Sequence, residues 1–283
     1  MPLPSLSAIS TAFPAVKVTG KANTFQNTVL QGCKDQAPVY VKSYASLENY
    51  RTERAVLKAF NHLPPGQFRV PKILVDAEAI TTLLLDKVPG EHIEIANDEQ
   101  RLVELAVVLR SLHQERSIRT LQRVDLHTRL ALFAKNIVFT DTLSSGEKCI
   151  AAKAAEEVKD CWNSVHYRSD QLVHGDMHLG NLLYHPYLPQ PYAVIDFERA
   201  YRGDGIFDLA KLTWRALKGN AYASGKLLEC YFARQVTVDE QRKLIAAIVY
   251  ECLGSISYFA YRGHQEGYPY KDAAFNYLEQ WML

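Results

Sequence analysis

The feature that most constrains this chain is a change of hydrophobic period near Asp86. Before it, apolar residues come in short β-branched or aromatic runs. "AVKVTG", "NTVLQGC" and "PVYVKSY" are separated by Gly, Lys and Asp turn signals, the pattern of strands. One helical segment over about Leu47–Asn61, with Ala55, Val56, Ala59 and Phe60 on one side, is stopped by "LPPG". "ITTLLLDKVPGE" is then an apolar strand closed by a Pro-Gly turn. After Asp86 the period becomes helical. Leu102, Leu105, Ala106, Leu109 and Leu112 repeat within Glu99–His113, and similar patterns run over Ala151–Trp162, Leu209–Leu217 and from Glu240 onward. The expectation is an α+β chain in two lobes. Residues 1–86 form an antiparallel sheet with one helix, and residues 87–283 form a larger, mostly helical lobe.

Composition narrows the function classes. Lys and Arg number 32 against 31 Asp and Glu, without the basic excess of a nucleic-acid footprint. Five scattered cysteines give neither metal-ligand spacing nor an even disulfide set, so reduced thiols are expected. "MPLPSLSAISTAF" lacks the basic start of a signal peptide, and no apolar run is read as approaching the roughly 20 residues of a membrane span. A cytoplasmic protein with no nucleic-acid or membrane partner is expected.

Two acidic elements carry the chemistry. "HGDMHLGN" sets Asp176 and Asn181 five positions apart, and "YAVIDFE" delivers Asp196 about twenty residues later on a strand-like run. Asp and Asn oxygens are hard ligands suited to magnesium, which binds through one or two carboxylates plus substrate phosphates. A further carboxylate in the loop can take the proton of an attacking hydroxyl. Protein kinases use the same Asp-to-Asn spacing in H-R-D-L-x-x-x-N, with a DFG aspartate at the metal.

"HGDMHLGN" followed by "IDFERAYRGDGIFDLAKL" resembles the aminoglycoside phosphotransferase and choline kinase family, whose pattern is H-G-D-x-H-x-x-N, then I-D-[FW]-E, then D-L-A. The resemblance runs from about Val16 to Leu212 and implies the two-lobed protein-kinase-like fold. "PVYVKSYA" is similar to the strand whose lysine grips nucleotide phosphates, which makes Lys42 that candidate, and Glu53 matches the helix glutamate paired with it. "LLLDKVPGE" resembles the hinge strand, making Asp86 and Val88 nucleotide-binding candidates. "LAVVLRSLHQ" resembles the family's L-A-x-x-L-x-x-L-H helix. Gly20 and Asn23 resemble a looser nucleotide-covering loop, because "VTGKANTFQNTVLQG" contains no G-x-G-x-x-G and reads equally as a plain hairpin turn.

The same resemblance makes Asp176 the catalytic base and Asn181 and Asp196 magnesium ligands. His174 becomes a prop for the loop backbone. Glu198 either touches a second metal or orders the loop. Asp208 reads as a helix N-cap and, in the family, steadies the catalytic loop. Lys42 and Glu53 also have bland readings, as a strand-edge lysine and a solvated helix residue. His174 and His178 invite a zinc site, but nothing nearby completes its ligand set. The C-terminal rings Tyr250, Tyr258, Phe259, Tyr261, Tyr268, Tyr270, Phe275, Tyr277 and Trp281 either cage a cationic substrate or pack between helices. Glu251, Glu266 and Asp272 would suit an amine or face solvent.

The expected activity is magnesium-dependent transfer of the γ-phosphoryl of ATP (or GTP) to a hydroxyl of a small molecule, such as an amine or amino alcohol. Two alternatives stand beside it. A protein kinase is disfavoured because only ten positions separate Glu198 from Asp208, and Gly175 replaces the H-R-D arginine. A kinase-shaped binding module without turnover is hinted at only by the irregular glycine loop. The pattern sets neither the substrate nor an oligomeric state.

Overall fold

Strand alternation organises the front of the chain. The computed structural model describes residues 3–22, 27–64, 66–94, 98–262 and 268–282. Helix α1 (Leu6–Ala12) precedes strands β1 (Lys17–Ala22), β2 (Thr28–Lys34) and β3 (Ala37–Ser43). Then come α2 (Leu47–His62), β4 (Phe68–Arg69), β5 (Ile73–Ala77), β6 (Thr82–Asp86) and β7 (Glu91–His92). Helices α3 (Glu99–His113), α4 (Leu126–Phe139) and α5 (Ser145–Ser164) lead to β8 (Gln171–Val173), β9 (Leu182–Tyr184), β10 (Tyr192–Val194) and β11 (Tyr201–Gly203). Helices α6 (Ile206–Arg215), α7 (Ala221–Phe232), α8 (Val238–Arg262) and α9 (Tyr268–Met282) complete the described elements.

An antiparallel sheet has the order β1-β2-β3-β6-β5. Its register sets Leu30 opposite Val41 and Val41 opposite Leu84. These three share one face, and with Val39 they form a core closed by Ile9 of α1 and Phe13 just after it. The adjacent row, Val29–Lys42–Leu83, must point to the other face, because successive side chains alternate. That parity aims Lys42 away from the α1 core.

The sequence implies one helix beside this sheet, whereas the structure has two. α1 spans only seven residues, capped by Ser5 accepting from the Ala8 N–H, and buries only Ile9. Two turns with one buried residue carry no readable period. α2 is capped by Ser46 accepting from the Asn49 N–H, and it buries Tyr50, Glu53, Val56 and Leu57 along one stripe. It stops at Leu63, which the following Pro64 holds in extended backbone (ψ 152°).

Contacts divide the chain into two compact units. One holds Met1–Glu94, Gln114–Leu121 and His174–Tyr201, and the other holds Ile95–His113, Gln122–Val173 and Arg202–Leu283. This division differs from a single cut after Asp86 for a physical reason. In the first unit β10 pairs in parallel with β4, setting Phe68 against Tyr192, in a second sheet of order β4-β10-β9-β7. Arg69 adds hydrogen bonds from Nε to the Gln190 carbonyl (2.8 Å) and from Nη2 to the Pro89 carbonyl (2.9 Å).

In the second unit α3 packs on α7, and α8 packs against α4, α5, α6 and α9. Ala246, Ala247, Ile248, Val249 and Tyr250 of α8 are consecutive and all buried, so this stretch of the helix is apolar on every side. The expectation that no apolar run reaches membrane-span length is corrected here. By length and composition Val238–Tyr261 suffices, with a mean hydropathy of 1.5 over an 18-residue window within it. Packing against four helices gives it the surroundings of a core helix. All five cysteines are free thiols.

Phe13 is 4% exposed. Phe13→Ala is expected to cost about 3–5 kcal/mol of stability, read as a lowered urea midpoint. An unchanged midpoint would show that α1 is not part of the core.

Candidate active site

The centre of the site is one ammonium among three carboxylates. Lys42 Nζ lies 2.6 Å from Glu53 Oε2, 2.5 Å from Asp196 Oδ1 and 3.1 Å from Glu198 Oε2. Each partner arrives by its own local logic. Lys42 is on the face of β3 opposite Val41. Glu53 sits on the buried stripe of α2, one residue in an otherwise apolar set. Asp196 follows β10 and holds a left-handed backbone (φ 67°), an uncommon conformation that an aspartate tolerates better than most residues. Glu53 Oε2 also accepts a hydrogen bond from the Tyr44 hydroxyl (2.8 Å), and the Lys42 ammonium lies 5.0 Å from the Tyr44 ring centre.

The charges follow from burial and neighbours. Burial works against the Lys42 ammonium, yet Glu53, then Tyr44, Asp196 and Glu198, hold its pKa well above the ordinary lysine range. Burial pushes the Glu53 carboxyl upward; Lys42 opposes this, and the like charges of Asp196 and Glu198 reinforce it. Burial also acts on Asp196, but the charge and hydrogen bond of Lys42 bring it below the usual aspartate range. The Asp196 side chain is 38% exposed against 1% for Glu53. Of two carboxylates sharing one ammonium, the wetter one keeps its charge more easily.

The loop "HGDMHLGN" is braced by its first histidine. His174 is fully buried, its Nδ1 accepts from the Asp176 N–H (3.3 Å), and Nε2 therefore carries the proton it donates to the Ile195 carbonyl (2.9 Å). One ring thus ties the Asp176 loop to the residue before Asp196. Phe197 packs against the same ring (4.8 Å) and against Phe60 of α2 (5.8 Å). Phe60 is seven residues beyond Glu53, on the same helical stripe, so α2 supports both sides of the site. Asn181, 5% exposed, donates from Nδ2 to the Asp176 carbonyl (2.9 Å), and the Ile195 N–H donates to the Asn181 carbonyl (3.1 Å). His178 caps the short turn Leu179–Asn181, its Nδ1 accepting from the Gly180 N–H (3.0 Å).

Gly175 has φ +76°, and a Cβ there would lie 2.2 Å from the Arg199 carbonyl oxygen. No arginine of the H-R-D kind fits this backbone.

The donors suited to a hard cation are oxygens. Asn181 has its amide nitrogen committed to Asp176, leaving the amide oxygen as the other end. Asp196 binds Lys42 through Oδ1 and is partly exposed. Glu53, Asp196 and Glu198 offer ligand atoms within 4.8 Å of one another, but the Lys42 ammonium already lies among them. Oxygen-only donors beside a partly exposed carboxylate fit magnesium.

Other expected residues are placed differently from one another. Asp86 ends β6, and its Oδ1 accepts from the Lys72 N–H (2.5 Å), while Val88 is buried two residues on. Gly20 lies within β1, and among the described residues the Gln31 side chain is what lies near its missing Cβ, at 3.8 Å. Asn23 lies outside the described residues. Asp208 is not an N-cap. Gly205 holds that position, Asp204 Oδ1 accepts from the Ile206 N–H (3.1 Å), and Asp208 sits inside the first turn of α6. Its carboxylate meets His113 Nε2 at 3.0 Å, and His113 Nδ1 meets the Tyr231 hydroxyl at 2.8 Å. The "LH" and "DLA" motifs are thus joined in the second unit through one buried histidine.

Among the C-terminal rings, Tyr250, Phe259 and Phe275 are buried, whereas Tyr261 and Tyr270 are exposed. Tyr250 is buried against Trp162, Phe207 and Phe133. Arg215 lies over the rings of Trp214 and Tyr270, and Lys271 over those of Phe259 and Phe275. Glu251 pairs with Lys211 and Asp272 with Lys271. Glu266 and the side chains of Tyr268 and Trp281 lie outside the described residues.

Sequence reasoning missed Tyr44 and Asn27. Tyr44 follows Lys42 by two, so strand parity alone places it on the Lys42 face. Asn27 Nδ2 donates to Glu198 Oε2, a contact between residues 171 positions apart that no local pattern announces.

The model of the phosphotransferase enzyme family matches residues 23–228. Solved structures sharing the fold include the GDP and kanamycin complex of APH(2")-IIia, 14% identical with a TM-score of 0.73, over 97% of this chain and 96% of that one. The streptomycin-ATP-APH(2")-IIa ternary complex is 14% identical with a TM-score of 0.68, over 99% and 97%. The choline kinase LicA from Streptococcus pneumoniae is 14% identical with a TM-score of 0.72, over 97% and 98%. No curated protein sequence matches significantly. At such identities the shared feature is the fold, an α+β protein-kinase-like architecture with an N-terminal antiparallel sheet and a mostly helical remainder.

The depressed Asp196 carboxyl gives a signed pH dependence. A lowered folded-state pKa contributes stability above the unfolded value of about 3.9, and that stability is lost as pH falls through the folded value. The stability difference between the wild type and Asp196→Asn should therefore be present at neutral pH and shrink below pH ~4. A difference that stays constant through that range would show that Lys42 does not hold this carboxylate ionised.

Proposed function

The chain belongs to the phosphotransferase enzyme family, and from that premise we propose that it transfers the γ-phosphoryl group of ATP or GTP to a hydroxyl of a small molecule. The observation that carries this reading is the Lys42 ammonium, buried, charged and fixed by Glu53, with Asp196 on its other side. A fixed cation beside a partly exposed carboxylate serves to bind and orient phosphate oxygens. In this reading Lys42 grips the nucleotide phosphates and Glu53 keeps it aimed. Gly20 and Asp86, with Val88 just beyond, line the nucleotide side, so residues 1–86 supply most of the nucleotide contacts and residues 87–283 the base and the acceptor site.

Asp176 is the base. As the acceptor oxygen bonds to the γ-phosphorus, its proton passes to the Asp176 carboxylate and the bond from that phosphorus to the bridging oxygen breaks, releasing ADP or GDP. His174 and Asn181 hold the Asp176 backbone in place through the hydrogen bonds described above. Asn181 and Asp196, with Glu198 beside them, would hold magnesium, which supplies charge neutralisation at the phosphates. Positioning and electrostatics do most of the work in such transfers.

Support for a small acceptor comes from two sides. The Gly175 backbone leaves no room for the arginine that docks an activation-loop phosphate, which weighs against a protein substrate. The structural neighbours carry kanamycin, streptomycin or a choline kinase designation, all pointing to hydroxylated amines and amino alcohols. The reading is tested by incubating the protein with magnesium, ATP or GTP, and a panel of amino alcohols, sugars and aminoglycosides. If no compound is phosphorylated and no nucleotide shifts the melting temperature, the reading fails.

Asp176→Ala should lower kcat by about 10²–10⁴-fold while nucleotide affinity stays close to that of the wild type. Equal loss of both would make Asp176 a structural residue.

A further inference from the structure

We propose that Asn27 is a positioning residue for phosphotransfer: its side-chain amide, held at both ends, sets Glu198 against the Lys42 ammonium. The proposal rests on the phosphotransfer reading above and assigns a role to a residue outside its motifs.

Asn27 is buried immediately before β2. Its Oδ1 accepts a hydrogen bond from the Ala45 N–H at 3.4 Å, and its Nδ2 donates to Glu198 Oε2. An amide carries its acceptor and its donors at opposite ends, so the bond to Ala45 decides which end reaches Glu198. Ala45 belongs to the connection between β3 and α2, the elements that carry Lys42 and Glu53. The frame that aims the lysine therefore also aims the amide.

The receiving oxygen matters. Glu198 Oε2 is the atom 3.1 Å from Lys42 Nζ, the longest of the three ion pairs the ammonium makes. A glutamate has three torsions, and the ammonium contact alone restrains them weakly. With the Asn27 donor on the same oxygen, the carboxylate is fixed, and Lys42 is shared among three anions rather than two. Because Glu198 stands two residues after Asp196, a phosphate approaching Lys42 and Asp196 meets a Glu198 already set by Asn27. Glu198 thus orders this corner of the site through a side chain from the sheet.

The test is calorimetric titration of the protein with MgADP, comparing the wild type, Asn27→Ala, Asn27→Asp, Glu198→Ala and the Asn27→Ala/Glu198→Ala double variant. Melting temperatures are recorded alongside. Asn27→Ala should weaken MgADP binding by about 10-fold, the scale of one hydrogen bond to a buried charge. Asn27→Asp keeps the size, sets carboxylate against carboxylate, and should weaken binding further. The double variant should bind no worse than Glu198→Ala alone, because the amide acts only through that glutamate. In turnover, KM for the nucleotide should rise while KM for the acceptor stays unchanged. The proposal is overturned if the two single losses multiply in the double variant, or if both Asn27 variants only lower the melting temperature and bind MgADP normally. If the wild type binds neither MgADP nor MgGDP, the phosphotransfer reading falls and takes this proposal with it; if it binds MgGDP alone, the same comparison is made with MgGDP. Normal wild-type binding with unaffected Asn27 variants defeats the proposal alone.

Discussion

A lysine ammonium buried among carboxylates is the interaction on which the rest of this structure turns. A lone buried charge would be driven to neutrality, and a lone buried carboxylate likewise. Lys42 and Glu53 make each other tolerable at 2.6 Å, and Asp196 and Glu198 complete the group. Removing one member leaves the others uncompensated, so the group is held in common by β3, α2 and the segment after β10. Such arrangements are weak evidence of stability in themselves, because desolvation offsets much of the attraction. Their use here is orientation: the ammonium has one place to be, and a partly exposed carboxylate stands beside it.

The surrounding packing serves that fixed point. The sheet's parity puts Val39 and Val41 into the α1 core and turns Lys42 the other way. The stripe of α2 presents Glu53 to Lys42 and Phe60 to Phe197. His174 then couples Phe197, Ile195 and the Asp176 backbone, so a single buried ring relates the base-bearing loop to the Asp196 segment. In the second unit a comparable device, His113 between Asp208 and Tyr231, joins α3, α6 and α7.

How much of this was legible in the sequence depends on where the interactions lie along the chain. Strands with clear alternation and helices with several turns were readable, and the ion-paired Lys42, Glu53 and Asp196 could be picked out because each sits inside a short motif. α1 was not, since two turns carry too little period. Asp208 was misread as a cap because its real partner, His113, is 95 positions away. Asn27 was passed over for the same reason, and Asn23, chosen from the neighbouring stretch, lies outside the described residues. The ring-rich C-terminal region invited a cation cage; three of its rings are core residues, with Tyr250 against Trp162, Phe207 and Phe133 and Lys271 facing Phe259 and Phe275, whereas Tyr261 and Tyr270 are exposed. The membrane-length apolar stretch of α8 was underestimated because charged residues at its start mask the run that follows.

The central claim is that Lys42 is placed to bind phosphate, and comparison of two ligands on one variant tests it most directly. Equilibrium binding of MgATP and of adenosine (MgGTP and guanosine if the wild type prefers GTP) would be measured for the wild type and Lys42→Gln. The account predicts that the substitution weakens MgATP by about 10-fold or more, the loss of at least one charge-assisted contact, while adenosine affinity is unchanged. Equal weakening of both ligands, or none for MgATP, would contradict it.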